Sequence, residues 1–156
     1  MGWIDVIVVA LQAYFVLMNV TVERFYCAAA LREDDTRLLV KETIDFCRQY
    51  NPLFLERPEW LHRATCVSAY AFCPFYVLTA YAALFQRWQR LRVPLLLFIG
   101  AKLNAIAFYH YVEFTSATPP PHVLPYFSVE GPYLLSIALV LRKLVRDGAP
   151  PQKKIE

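Results

Sequence analysis

Four apolar runs decide what this chain can fold into. They cover residues 4–22, 65–85, 93–114 and 126–145. Each approaches or exceeds the roughly 20 residues that an α-helix needs to cross the hydrocarbon core of a bilayer. No water is available there, so a lone spanning segment must satisfy its own backbone hydrogen bonds, and a helix does so while an open strand does not. The expected fold is all-α: a polytopic membrane protein with four transmembrane helices in one bundle. Composition agrees, because 58% hydrophobic and 19% charged residues are the proportions of a chain too apolar for an ordinary soluble domain. The formal charge of +3 comes without a basic, aromatic-interleaved stretch, so nucleic acid is not an expected partner. Membrane lipids are. A single membrane domain over residues 1–147 and a polar tail over 148–156 account for the chain. The apolar start lacks the basic region and small-residue site of a cleaved signal peptide.

Two prolines fall inside these runs. Pro74 and Pro132 each remove a helical hydrogen bond, and kinks are expected at both, with an apolar cavity between the splayed helices. Trp60 precedes the second run, where an indole suits the membrane–water boundary. The linkers differ in kind. The first is long and charged, and within it residues 35–50 carry an apolar stripe of Leu39, Val40, Ile44 and Cys47 at helical spacing, as a helix lying on the surface or covering one end of the bundle would. The second is short and basic, with Arg87, Arg90 and Arg92, which makes the second and third helices antiparallel neighbours. The third holds Pro119, Pro120 and Pro121 and no Lys or Arg. Basic residues favour the cytosolic side, so both termini and the second linker are expected there. The ending Lys153-Lys154-Ile155-Glu156 then reads as an endoplasmic-reticulum retrieval signal, against the alternative of an ordinary basic tail.

Ionisable residues inside spans are functional candidates by default. Here they are Glu23, Lys102, His110 and Glu113, with Lys102, Ile106, Tyr109 and Glu113 on one helical face. The competing readings are that Glu23 and Glu113 mark helix ends, that Lys102 snorkels, and that His110 is a hydrogen-bonded packing residue. Cys27 and Cys47 flank the first linker and are the pair placed for a disulfide if that linker meets an oxidising compartment. Cys66 and Cys73 read as small core residues. The sequence holds no metal-ligand cluster, nucleophile motif or phosphate loop, so no cofactor is expected beyond a bound lipid or sterol.

The ordered set Asn51-Pro52-Leu53-Phe54, Pro58, Trp60 and Pro74-Phe75, echoed later by Tyr81, Arg92-Val93-Pro94 and Pro132-Tyr133-Leu134-Leu135, resembles the EXPERA family. That family includes the sigma-2 receptor, the nearer pattern, and the emopamil-binding sterol isomerase. The resemblance covers most of residues 50–142 and implies a four-helix bundle with a lipophile cavity lined by Ser68, Phe72, Pro74, Asn104, Pro132 and Tyr133. The departures bear on activity. The family's aspartate at the head of the block is Asn51 here, its helix-two glutamate is Ser68, and the sigma-2 receptor's glutamine is Phe72. Its ligand-pairing helix-one aspartate has no match, since Phe25 occupies that place and Glu23 lies two positions away. An isomerase needs a buried acid and base, so the expectation is a non-catalytic protein. It would be a lipid-associated accessory subunit or scaffold of a larger membrane complex, with a mitochondrial respiratory assembly as one host. The alternative is a free sterol- or lipid-binding protein of the endoplasmic reticulum.

Overall fold

A computed structural model describes residues 2–146, and all regular structure among them is helical. The tail with Lys153 and Lys154 lies outside the described residues. Four helices are long and apolar enough to cross a membrane: α1 (Trp3–Ala28), α4 (Glu59–Leu84), α5 (Arg92–Phe114) and α6 (Val123–Arg146). This is the four-helix architecture of an integral membrane protein. Two shorter helices, α2 (Val40–Tyr50) and α3 (Pro52–Glu56), occupy the first linker. α1 packs along α4 and against α6, and α6 also packs on α5. Val8, Phe15, Tyr76, Phe98 and Val140 are buried among them. Phe15 stacks on Tyr133 with centroids 4.2 Å apart, and Phe75 on Phe98 at 5.0 Å. Leu97, Phe108 and Leu124 point outward, as side chains facing acyl chains would.

Two of the long helices are not uniform. α1 widens into a π-helical turn at Asn19–Glu23 and α4 into another at Ser68–Phe72, and the two turns face each other. Pro74 follows the second at once. Its missing N–H therefore falls where the i→i−4 ladder is already interrupted. Pro132 lies inside a continuous α6.

One end of the bundle is pinned by Asp5, which is 1% exposed. Its carboxylate accepts from the Gly2 amide at 2.8 Å and from Trp88 Nε1 at 3.1 Å, and it meets Lys143 Nζ at 3.0 Å. The start of α1, the second linker and the end of α6 thus share one buried charge. Midway along, Gln12 Nε2 donates to Ser136 Oγ at 2.7 Å.

The opposite end is built by the first linker. The helix foreseen over residues 35–50 begins only at Val40, because Asp35 accepts from the Arg37 amide at 3.0 Å and from its guanidinium, a local bonding pattern that competes with helix. Leu39 adopts φ 63° before α2. Asn51 caps α3, its Oδ1 accepting from the Phe54 amide at 3.3 Å with Pro52 following as first helical residue. Arg57 closes α3 at φ 52° and turns its guanidinium onto the last carbonyls of α1, donating to Tyr26 O at 2.9 Å and Cys27 O at 3.3 Å. His62 Nε2 lies 3.1 Å from the same Cys27 O.

The Cys27–Cys47 disulfide that the sequence leaves open is not formed, and the reading of Cys66 as a small core residue is corrected. Cys27 is bonded to Cys66, with Cα atoms 5.4 Å apart, while Cys47 and Cys73 are free and buried. α4 starts at Glu59, well before the apolar run at residue 65. Cys66 is therefore near the end of the bundle, level with the end of α1.

Candidate functional site

Beneath α2 lies a cavity of about 360 Å³, within the range of small-ligand sites. α2 forms one wall through Thr43, Phe46 and Cys47, with Leu39 just before it; α1, α4, α5 and α6 form most of the rest. α2 sits there because its stripe Val40, Ile44 and Cys47 is buried against the bundle, at 0%, 4% and 5% exposure. Burial, with the charges of Glu130 and Glu113 adding to it, pushes the Cys47 thiol up to about 12.

Most of the wall is apolar, but polar groups converge at one place. Glu23 from α1, Ser68 from α4, Lys102 from α5 and Glu130 and Tyr133 from α6 all line it. Both carboxylates are half-buried on the cavity wall. Lys102 is 8% exposed. Its Nζ lies 4.5 Å from the Tyr133 ring centroid and 5.2 Å from those of Phe72 and Tyr76, a cation–π enclosure. No carboxylate oxygen among the described residues lies within the 4.0 Å of an ion pair with it, although Glu23 and Glu130 act on it across the cavity. Nearby, Glu23 Oε2, both side-chain polar atoms of Asn19 and the Tyr76 hydroxyl are buried without a hydrogen-bond partner. Such groups are rare in folded proteins unless water or a ligand completes them.

A second polar cluster adjoins the cavity. Asn51 Nδ2 donates to the Tyr109 hydroxyl at 3.0 Å, which donates to Glu113 Oε1 at 3.0 Å. Tyr126 donates to Glu113 Oε2, and His110 Nδ1 lies 2.8 Å from the Tyr126 oxygen. Glu113 is 0% exposed. Tyr109 of its own helix and Tyr126 of α6 hold it, and it is far from being a solvated helix end.

The structure sorts the residues singled out from the sequence. Ser68, Phe72 and Tyr133 do line the cavity, as do Glu23 and Lys102. Pro74 and Asn104 are exposed on the outer surface, and Pro132 is not part of the wall. The prolines shape the helices without presenting a ring to the cavity, and Asn104 lies two positions beyond Lys102, on the opposite side of α5. His110 belongs to the Glu113 cluster. Lys102 does not snorkel; it stays among aromatic rings. Glu130 and Asp5 escaped notice, although a carboxylate inside an apolar run is itself the signal. Among the described residues no cluster suited to a metal ion exists. Comparison of the chain with family models, curated proteins and solved structures gives no match.

Proposed function

We propose that this chain is an EXPERA-like membrane protein that holds an apolar ligand, of sterol or lipid type, in the cavity under α2. The observation that carries this reading is the cavity itself: about 360 Å³, walled by hydrophobic side chains, with a few polar groups converging from four helices. A purely scaffolding subunit has no need of such a space, and it would gain stability by filling it. The reading is non-catalytic, a binding protein rather than an isomerase. The positions where the resemblance implies acids hold Asn51, which caps α3, and Ser68; the carboxylates on the cavity wall, Glu23 and Glu130 with the exposed Glu42, come from elsewhere. The Cys27–Cys66 bond supports an orientation with the first linker in an oxidising compartment. This accords with basic residues on the opposite side and with residence in the endoplasmic reticulum.

The test is photoaffinity labelling of the full chain in nanodiscs with a diazirine sterol. Ala105 lines the cavity, and Ala105→Trp would fill part of it. Label is expected on cavity-wall peptides of the unaltered protein and is expected to fall at least about tenfold in Ala105→Trp, with helicity retained. Label confined to outward residues such as Leu97 and Phe108, and unchanged by the substitution, would reject a cavity ligand. Turnover of a Δ8-sterol by the pure protein would reject the non-catalytic part.

A further inference from the structure

Lys102 is the group that simple lipid binding leaves without a task. A lysine retained only to balance charge would be expected to rest against a carboxylate. Here Nζ stands among the Phe72, Tyr76 and Tyr133 rings, 4.5–5.2 Å from their centroids, with Glu23 and Glu130 on the cavity wall but outside ion-pair range. The site therefore brings together a primary amine removed from water, an apolar space beside it, and two carboxylates on other helices. Those are the parts required for reversible capture of a carbonyl by an amine, and the carboxylates match the counter-ions that charged groups need at membrane depth.

We propose that Lys102 forms an imine with an apolar aldehyde bound in the cavity. This rests on the ligand-binding reading above and names the ligand class. The ammonium passes a proton to one cavity carboxylate through an intervening water, because neither carboxylate is in ion-pair range. The neutral Nζ adds to the aldehyde carbon, forming the C–N bond and a carbinolamine. The carbinolamine hydroxyl leaves as water, taking a proton from that carboxylic acid, and the protonated imine that remains is paired by Glu23 and Glu130. Lysine and aldehyde give imine and water, with no change of oxidation state and no other reactant. Ser68, on the same wall, provides a hydroxyl for the departing oxygen. The aromatic enclosure that now surrounds the ammonium would serve the iminium equally.

The test incubates the full chain in nanodiscs with hexadecanal and cyanoborohydride, then maps reduced adducts by peptide mass spectrometry. Exposed Lys41 is the internal control. Hexadecanol, which cannot form an imine, is run beside it as a competitor of the sterol photoprobe. Modification of Lys102 is expected to exceed that of Lys41 by on the order of tenfold or more, because the cavity holds the carbonyl next to the amine. Lys102→Arg should abolish the adduct at residue 102, and displacement of the photoprobe by hexadecanol is read on the unaltered protein. If hexadecanol displaces the probe and Lys102 remains unmodified, the imine is wrong and ligand binding stands. Equal labelling of Lys41 and Lys102 would also overturn it, as mere chemical reactivity. If neither compound displaces the probe and no adduct forms, the cavity reading fails and the imine fails with it.

Discussion

The buried Asp5 provides the sharpest test of how this bundle is held. At 1% exposure, it receives an ion pair from Lys143 and hydrogen bonds from Trp88 and Gly2. Breaking a buried ion pair by removing one partner costs about 3–5 kcal/mol, because an uncompensated charge remains. Asp5→Ala leaves the Lys143 ammonium, but that side chain is 12% exposed and near the end of α6, so its stem can carry the charge toward water. The orphaned Trp88 N–H adds about 1–3 kcal/mol, though such losses overlap rather than sum. The expected cost is about 3–4 kcal/mol. Lys143→Met leaves the Asp5 carboxylate, still holding two donors, and should cost about 2–3 kcal/mol. The double variant removes both charges together and should be destabilised by less than the two single costs combined, by about 1.5–3 kcal/mol. At about 2–4 °C per kcal/mol for a chain of this size, Asp5→Ala lowers Tm by about 6–16 °C. Far-ultraviolet circular dichroism during heating in one fixed detergent reads all three. Additivity within about 0.5 kcal/mol would refute the coupling, and with it the claim that one buried charge ties the start of α1 and the end of α6 to the second linker.

Three further outcomes follow from the other end of the molecule. Glu113→Gln keeps the shape but turns one acceptor oxygen into a donor facing tyrosine hydroxyls, so it should cost about 1–3 kcal/mol by thermal unfolding; a neutral result would mean that Glu113 is not held by Tyr109 and Tyr126. Reduction of Cys27–Cys66 removes a link closing a chain separation of 39 residues, and Cys27→Ser should cost roughly 2–4 kcal/mol; an alkylation assay without prior reduction that labels Cys27 or Cys66 would show the bond absent. Cys47, with its thiol pushed up to about 12, stays protonated throughout the neutral range. Since the thiolate is the nucleophile, maleimide labelling of Cys47 should remain slow from about pH 7 to pH 9. A labelling rate that climbs tenfold per pH unit up to a plateau near the ordinary thiol range would mean that α2 does not bury Cys47 against the bundle.

The four spans were legible because the bilayer imposes a length and a composition that few other folds require. The α2 stripe was legible for a related reason: Leu39, Val40, Ile44 and Cys47 repeat at helical spacing, and burying them was the only way to use them. What sequence could not supply was the rotation of one part of a helix relative to the next. Counting along a regular helix puts Glu23 off the ligand-facing side and makes a carboxylate at the end of an apolar run look like the end of a span. The helix instead continues to Ala28, and the wide turn at Asn19–Glu23 shifts the register of everything beyond it. That turn has no local signature in Asn-Val-Thr-Val-Glu. It lies against its counterpart at Ser68–Phe72, where Pro74 removes a hydrogen bond in any case, so its cause belongs to the pair of helices and to neither one alone. The Cys27–Cys66 bond was hidden in the sequence for the same reason. Cys66 seemed sunk in a span until α4 was found to begin at Glu59, which brings it level with Cys27. The acids that the resemblance implies at one set of positions are replaced at another by Glu23 and Glu130. Carboxylates set far apart along the chain thus meet on one cavity wall once the helices pack.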